Sequence, residues 1–473
     1  TVSPVLVNDP KTAIYYVDFS FDNQKLGGSV LAQTLNKIGD EVPTVQDAEY
    51  FKAAFDAIQE LISKNMILAG HDISEGGMIT ALLEMCFGNS KGGLQVKLDY
   101  LEGNSIVTNL FAENPGVLIQ VKDRKDVEKV LESYGVGYAR IAAPIEERRL
   151  EINKKKQAYT FSINDLRDVW YRSSYLLDKK QSGEACAQSR FNNYKNQALE
   201  FRFTDTFKAK FSQFGLSQDR KPSGVKAAII REKGTNGDRE MAYALYLAGF
   251  DVKDVHMTDL ATGRETLEDV NMIVFCGGFS NSDVLGSAKG WAGAFLYNEK
   301  SKLALDNFYK REDTLSLGIC NGCQLMIELG LVTPEHDVKP RMLHNDSHKF
   351  ESSFVGVTIP ENNSVMLGSM SGSKLGVWVA HGEGKFSLPK AEKEYNVIAK
   401  YSYETYPANP NGSDYAVAGI CTADGRHLAM MPHPERAVFP WQWAHYPAER
   451  VNSDQITPWV EAFVNARKWV ENK

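Results

Sequence analysis

The chain has 473 residues, a formal net charge of -7 and 43% hydrophobic residues. That is enough apolar material for more than one core and too much for a disordered chain. The acidic balance argues against a general nucleic-acid or anionic-membrane surface, and no apolar run reaches the roughly 18 residues of a membrane span.

Six cysteines, Cys86, Cys186, Cys276, Cys320, Cys323 and Cys421, are too sparse for a disulfide scaffold and read as free thiols. The opening TVSPVLVNDPKT lacks signal-peptide character, so a cytoplasmic protein is expected. There is no initiator methionine, and a strand-like segment, Ala13 to Phe19, follows almost at once, which suggests a piece of something longer.

In the first region, 1–150, Leu26-Gly27-Gly28-Ser29 opens an apolar-periodic segment, and Thr44 to Asp47 has capping-box spacing. The following helix places Phe51, Phe55, Ile58 and Ile62 on one face, which is expected to be core. Met66 to Ala69 reads as a buried strand that runs through Gly70-His71-Asp72-Ile73-Ser74-Glu75-Gly76-Gly77 into a helix from Met78 to Cys86. At this strand-to-helix turn Asp72 can hold Mg²⁺ and Ser74 can meet phosphate; equally, both are favoured helix-capping residues. His71 reads as a partly buried, satisfied histidine.

The next region, 151–221, starts with a charge-rich connector, Glu151 to Lys156. Capping-box spacing follows at Ser162 to Asp165, and Leu166, Val169, Trp170 and Leu177 form a stripe expected to pack. From Asp178 to Gly224 the chain is polar but studded with aromatic residues, among them Phe201, Phe203, Phe207, Phe211 and Phe214. Disordered tethers carry few aromatics, so a strap over a folded surface is expected.

In 222–473, strands predicted at Val225 to Ile230, Val252 to Val255 and Val270 to Phe275 alternate with a helix from Asp238 to Leu247 and another from about Leu285. This pattern predicts an α/β domain with a doubly wound, mainly parallel sheet, whose site lies beyond the carboxyl ends of the strands. Thr314 to Ile327, TLSLGICNGCQLMI, is strand, tight turn and helix, and Gly318-Ile319-Cys320-Asn321-Gly322 has the form of a nucleophile elbow with cysteine in the serine position. The helix amides and dipole favour the thiolate there. A base is available in Met431-Pro432-His433-Pro434-Glu435, where His433 and Glu435, two apart, share one side of an extended segment, giving the triad Cys320, His433, Glu435. Gly278 and Asn321 are the expected amide donors to an oxyanion.

GICNGCQ, GGFS at Gly277 to Ser280 and the downstream HPE together resemble the class I glutamine amidotransferases. Phe275 to Ser280, Asp283 to Gly286 and Lys289-Gly290-Trp291 resemble, more narrowly, the glutaminase domain of the phosphoribosylformylglycinamidine synthase family, and LGGS followed by HDISEGG resembles the C-terminal half of that family's second synthetase repeat. The resemblance implies a flavodoxin-like glutaminase domain behind an α+β subdomain like that of aminoimidazole ribonucleotide synthetase. Residue by residue it places Asp72 on a magnesium ligand, Ser74 on a nucleotide contact and Gln324 beside the glutamine substrate. It puts Asn345 to Glu351 and Val379 to Gly384 at the glutamine pocket or facing the synthetase, with His381 structural or pocket-lining. It further implies glutamine, ATP with Mg²⁺ and formylglycinamide ribonucleotide as partners of a monomeric complete enzyme, with weak glutamine hydrolysis and no amidine formation by this chain alone. Two competing readings are a stand-alone cysteine hydrolase of the same fold and a redox or metal motif at Cys320-Asn321-Gly322-Cys323; the latter lacks the further ligands that zinc requires.

Overall fold

The computed structural model describes residues 2–101, 103, 105–195 and 199–473. They form two compact units that divide after Ser174, and the helix Ile163–Gln181 carries the chain across that division.

The first unit is built on seven strands: β1 Ala13–Asp18, β2 Ile67–Asp72, β3 Gly93–Lys97, β4 Gly116–Val121, β5 Tyr138–Ile145, β6 Arg149–Lys154 and β7 Gln157–Ser162. Their order is β2-β4-β1-β5-β3-β6-β7, antiparallel except for the β3–β6 pair. Strand alternation explains its two cores. Ala13, Tyr15 and Val17 pack with Ala54, Ala57, Ile58 and Leu61 of the helix Ala48–Ser63, whereas Ile14 and Tyr16 pack with Met78, Leu82 and Met85 of the helix Gly77–Phe87.

Three expectations are corrected in and after this sheet. The core face of Ala48–Ser63 is its alanine-rich face, and Phe51 and Phe55 stand exposed. The charged segment Glu151 to Lys156 is no connector but most of β6 and its turn into β7, where charge suits the strands nearest a sheet edge. Val169, Trp170 and Leu177 are exposed rather than packed away.

The second unit holds β8 Lys226–Arg231, β9 Asp251–His256, β10 Met272–Phe275, β11 Leu315–Ile319, β12 Arg341–Leu343, β13 Glu351–Thr358, β14 Lys374–His381, β15 Lys385–Ser387, β16 Asn396–Tyr401, β17 Val417–Cys421 and β18 His427–Met430. Strands β12 and β15 pair as a separate ribbon, and the other nine form one sheet in the order β14-β13-β16-β17-β18-β11-β10-β8-β9. The expected parallel arrangement is the half from β18 to β9; beyond it the tight return from β17 to β18 starts an antiparallel extension. Strand β11 is buried along its whole length, as its unbroken apolar run requires of a central parallel strand.

The helix expected from Leu285 begins at Lys289 and is broken at Asn298, which caps a second helix, Glu299–Lys310. Asn281, Ser282 and Asp283 take left-handed backbone conformations before it, so the segment is a contorted loop. The aromatic strap lies on this unit: Phe201 is 5.1 Å from Trp443, Phe203 is 5.9 Å from Tyr446, and Arg202 bridges to Lys374.

Candidate active site

Strand β11 delivers Cys320 at its carboxyl end, directly before the helix Asn321–Glu328. Cys320 has φ 52° and ψ -108°, a conformation that ordinarily costs a side-chain-bearing residue about 1–3 kcal/mol. Its flanking glycines make the turn possible. A methyl group on Gly318 would lie 2.5 Å from the Gly322 carbonyl oxygen, and one on Gly322 would lie 2.0 Å from that of Phe275. The Cys320 amide donates to Met430 O at 3.0 Å, which ties the elbow to β18.

The candidate base, His433, follows β18. The His433 amide donates to Trp378 O at 2.9 Å, and Pro434–Arg436 then forms one tight helical turn in place of the extended segment expected. Across that turn His433 Nδ1 meets Glu435 Oε1 at 2.6 Å, with both side chains almost wholly buried. Burial opposes charge on the imidazole, but the Glu435 carboxylate and the Cys320 thiol more than offset it and raise its pKa to about 9. His433 Nε2 has no hydrogen-bond partner, and the Cys320 thiol donates to Ala380 O at 3.6 Å. A methyl group on Gly277 would come within 2.8 Å of His433 Cε1 and 3.2 Å of Cys320 Cβ, so the two side chains flank the same point. The structure thus brings the side chains of Cys320, His433 and Glu435 together.

Gly278, next to Gly277, lines the same cleft as Cys320, and Asn321 follows Cys320 directly. Gly278 and Thr235 form a bridge whose hydrogen bonds run between their neighbours, Asn236 N to Gly277 O and Phe279 N to Gly234 O. In such a pair the Gly278 amide is turned away from the opposing strand. Its φ is 133°, and a methyl group on it would lie 2.5 Å from Asn236 N, so only glycine fits there. The Asn321 amide opens a helix and has no intrahelical acceptor.

Gln324 is placed differently from expectation. It is buried, its Oε1 accepts from Asn321 Nδ2 at 2.9 Å and its Nε2 donates to Glu383 O at 2.7 Å. The side chain of Asn321 also accepts from Ser280 N at 3.0 Å and donates to Asp283 Oδ1 at 3.3 Å. Gln324 thus braces the elbow against two loops. Asn345 ties its own loop to the one holding Glu383, donating to His381 O at 2.8 Å and accepting from Gly384 N at 3.0 Å. His381 is fully buried, with both ring nitrogens unpartnered, and burial followed by the neighbouring His433 lowers its pKa to about 3.

The cleft over the sulfur has a volume of about 450 Å³ and is walled by Gly278, Phe279, Phe350, Ala380 and His433, together with Asn236, Glu240 and Arg436. Sequence spacing gives no sign of Asn236 or Glu240; only Arg436, next to Glu435, had a local cue. Cys323, by contrast, is completely enclosed, and burial raises its thiol far above the ordinary range. It is unsuited to exchange with Cys320, and among the described residues no group of three metal-ligating side chains occurs.

In the first unit Asp72 and Ser74 lie exposed at the end of β2, and neither caps the helix Gly77–Phe87, whose cap is Gly76 in a left-handed conformation. His71 is held by Glu84 at 3.1 Å. The residue that organises this loop is Glu113, which no sequence pattern singled out. One of its carboxylate oxygens accepts from both Val30 N and Gly76 N at 2.8 Å, joining the LGGS and SEGG turns.

A family profile described as the CobB/CobQ-like glutamine amidotransferase domain matches residues 224–470, and one described as the C-terminal domain of AIR synthase related proteins matches residues 20–155. The chain is 40% identical over 507 residues to the probable chloroplastic/mitochondrial phosphoribosylformylglycinamidine synthase of Arabidopsis thaliana, covering 100% of this chain and 35% of that protein. It is 38% identical over 506 residues to phosphoribosylformylglycinamidine synthase of Homo sapiens, covering 99% of this chain and 37% of that one. The chain spans little more than a third of the length of these curated relatives. Among solved structures, PurLQS from Thermotoga maritima matches at 26% identity with a TM-score of 0.40, covering 53% of this chain and 98% of that one. Because the first profile takes in more than half of the residues, elbow and base included, the chain belongs to the family of CobB/CobQ-like glutamine amidotransferase domains, in the branch found in phosphoribosylformylglycinamidine synthases.

Proposed function

We propose that this chain releases ammonia from L-glutamine and supplies it to an ATP-dependent ligase that converts formylglycinamide ribonucleotide to its amidine in purine biosynthesis. The observation that carries the reading is the 2.6 Å His433–Glu435 pair set beside a cysteine on a strained elbow. Cys320 attacks the side-chain amide carbon, and the amides of Gly278 and Asn321 stabilise the negative charge that develops on its oxygen. His433 gives its proton to the departing nitrogen, and ammonia leaves. Water then adds to the glutamyl thioester with His433 as base, releasing glutamate and restoring the thiol. Glu435 holds the ring in position throughout.

In the complete enzyme, ATP with Mg²⁺ supplies the phosphoryl group that turns the formamide oxygen into a leaving group. Asp72, with His71 Nδ1 3.5 Å from its carboxylate, and Ser74 stand exposed in the turn braced by Glu113, and one exposed carboxylate suits Mg²⁺ at a second, structural nucleotide site, since that ion takes few protein ligands and fills its remaining positions with phosphate and water. Among the described residues no helix is long and apolar enough to cross a membrane, and we place the enzyme in the cytoplasm, acting as a monomer.

The direct test measures glutamate formation from glutamine, by this chain and by the complete polypeptide. Cys320→Ala abolishes it and Cys323→Ser retains it. The reverse pattern would refute the assignment in favour of a dithiol site.

A further inference from the structure

Two opposite charges on the cleft wall take no part in the hydrolysis described above. Arg436 Nη2 donates to Asn236 Oδ1 at 2.9 Å, which fixes the plane of the guanidinium. Its Nε–H has no hydrogen-bond acceptor, since the nearest carboxylate oxygens, Glu240 Oε1 and Glu435 Oε1, stand 3.6 Å and 3.9 Å away. Glu240 opens the helix Asp238–Ala248 and keeps nearly half of its side chain exposed. A cation and an anion therefore stand side by side on the wall of the cavity that holds the nucleophile, each with unused hydrogen-bonding capacity.

The reacting amide is neutral and needs neither charge. What such a pair complements is the other end of a free α-amino acid, with the carboxylate on the guanidinium fork and the ammonium on the glutamate. Cys320, Glu240 and Arg436 line the same cavity. Arg436 stands just beyond the His433–Glu435 pair, and an extended glutamine side chain separates amide carbon from carboxylate by about 5 Å.

We propose that Glu240 and Arg436 clamp the zwitterionic head of free glutamine and so exclude peptide-bound glutamine and simple amides from Cys320. The proposal rests on the glutaminase reading. It makes the pair specificity-determining, whereas a mere tie between the helix and the His433 turn would leave substrate choice unchanged.

The test follows alkylation of Cys320 in the purified chain by mass spectrometry, so it does not depend on turnover. Three reagents are compared: the diazoketone analogue of L-glutamine, the α-carboxamide of that analogue, and iodoacetamide. The unmodified chain is expected to favour the zwitterion over its carboxamide. Arg436→Gln and Glu240→Gln each lower the rate with the zwitterion by about tenfold to a hundredfold, the range for losing one charge-assisted hydrogen bond. Arg436→Lys recovers part of that loss, and labelling by iodoacetamide is unchanged throughout. Retention of the preference in both variants overturns the clamp, as does a parallel fall in iodoacetamide labelling, which would assign Arg436 to the triad. If Cys320 of the unmodified chain takes iodoacetamide but never the diazoketone, the glutaminase reading falls and the clamp with it.

Discussion

Glu435→Gln removes a charge and keeps the shape. In the native fold His433 rises from an ordinary 6.5 to about 9 although burial alone would depress it, because the carboxylate 2.6 Å away and the Cys320 thiol favour the protonated ring. A change of that size is worth about 3 kcal/mol of preference for the charged ring in the fold. The sign follows from linkage. A folded-state pKa above the unfolded value adds stability that is whole below about 6.5 and is lost as pH rises through about 9. With a neutral amide at 435 burial goes unopposed by that carboxylate, the ring titrates lower and most of this pH-dependent stability disappears. Catalysis loses its oriented base, and glutamine hydrolysis falls by about 10²- to 10⁴-fold. Urea unfolding at steps from pH 6 to 10 measures the first effect, and the pH profile of Cys320 alkylation measures the second. A variant that keeps the native loss of stability across this window, or an unmoved alkylation profile, would refute the reasoning.

Gly277→Ala and Gly322→Ala separate function from folding. The first intrudes on the side chains of His433 and Cys320 and is expected to cut glutamine hydrolysis about 10²-fold with little change in urea midpoint. The second drives a methyl into the backbone of Phe275 and costs about 1–3 kcal/mol or more by the same denaturation assay. Glu113→Ala strands the Val30 and Gly76 amides; hydrogen exchange at both accelerates, and the first unit loses about 1–3 kcal/mol. His427, lowered to about 4 chiefly by burial, supports a fold whose stability is whole above about 6.5 and drains away as pH falls through 4, so His427→Gln flattens the acid limb of the urea midpoint against pH.

What the sequence disclosed about the site was local. A buried apolar run broken by Gly-x-Cys-x-Gly can only be a tight strand-to-helix turn, and a histidine two residues from a glutamate pairs with it whether the backbone between them is extended or, as here, turned. Contacts made across the fold left no such trace. Gln324 looked like a substrate ligand because nothing nearby shows that the Glu383 carbonyl would claim its amide. Glu113 was silent because its two partners lie 83 and 37 residues away. The helix from Ala48 misled for another reason: bulky Phe51 and Phe55 drew attention from Ala54 and Ala57, although it is these two that are buried in one core with Ala13, Tyr15 and Val17. The start of the helix at Lys289 was hidden by three left-handed residues, a conformation that Asn, Ser and Asp tolerate without announcing.

Cys320 and His433 issue from β11 and β18, neighbours in parallel register that pairs Ile319 with Met430. The spacing of the two strand ends is thus the interstrand repeat of about 4.8 Å, a length that ordinary thermal motion hardly alters. An allosteric signal can scarcely stretch it. The approach to the sulfur is bordered by the loop residues Phe279 and Phe350, so a change of access would fall to those loops while the gauge beneath them holds.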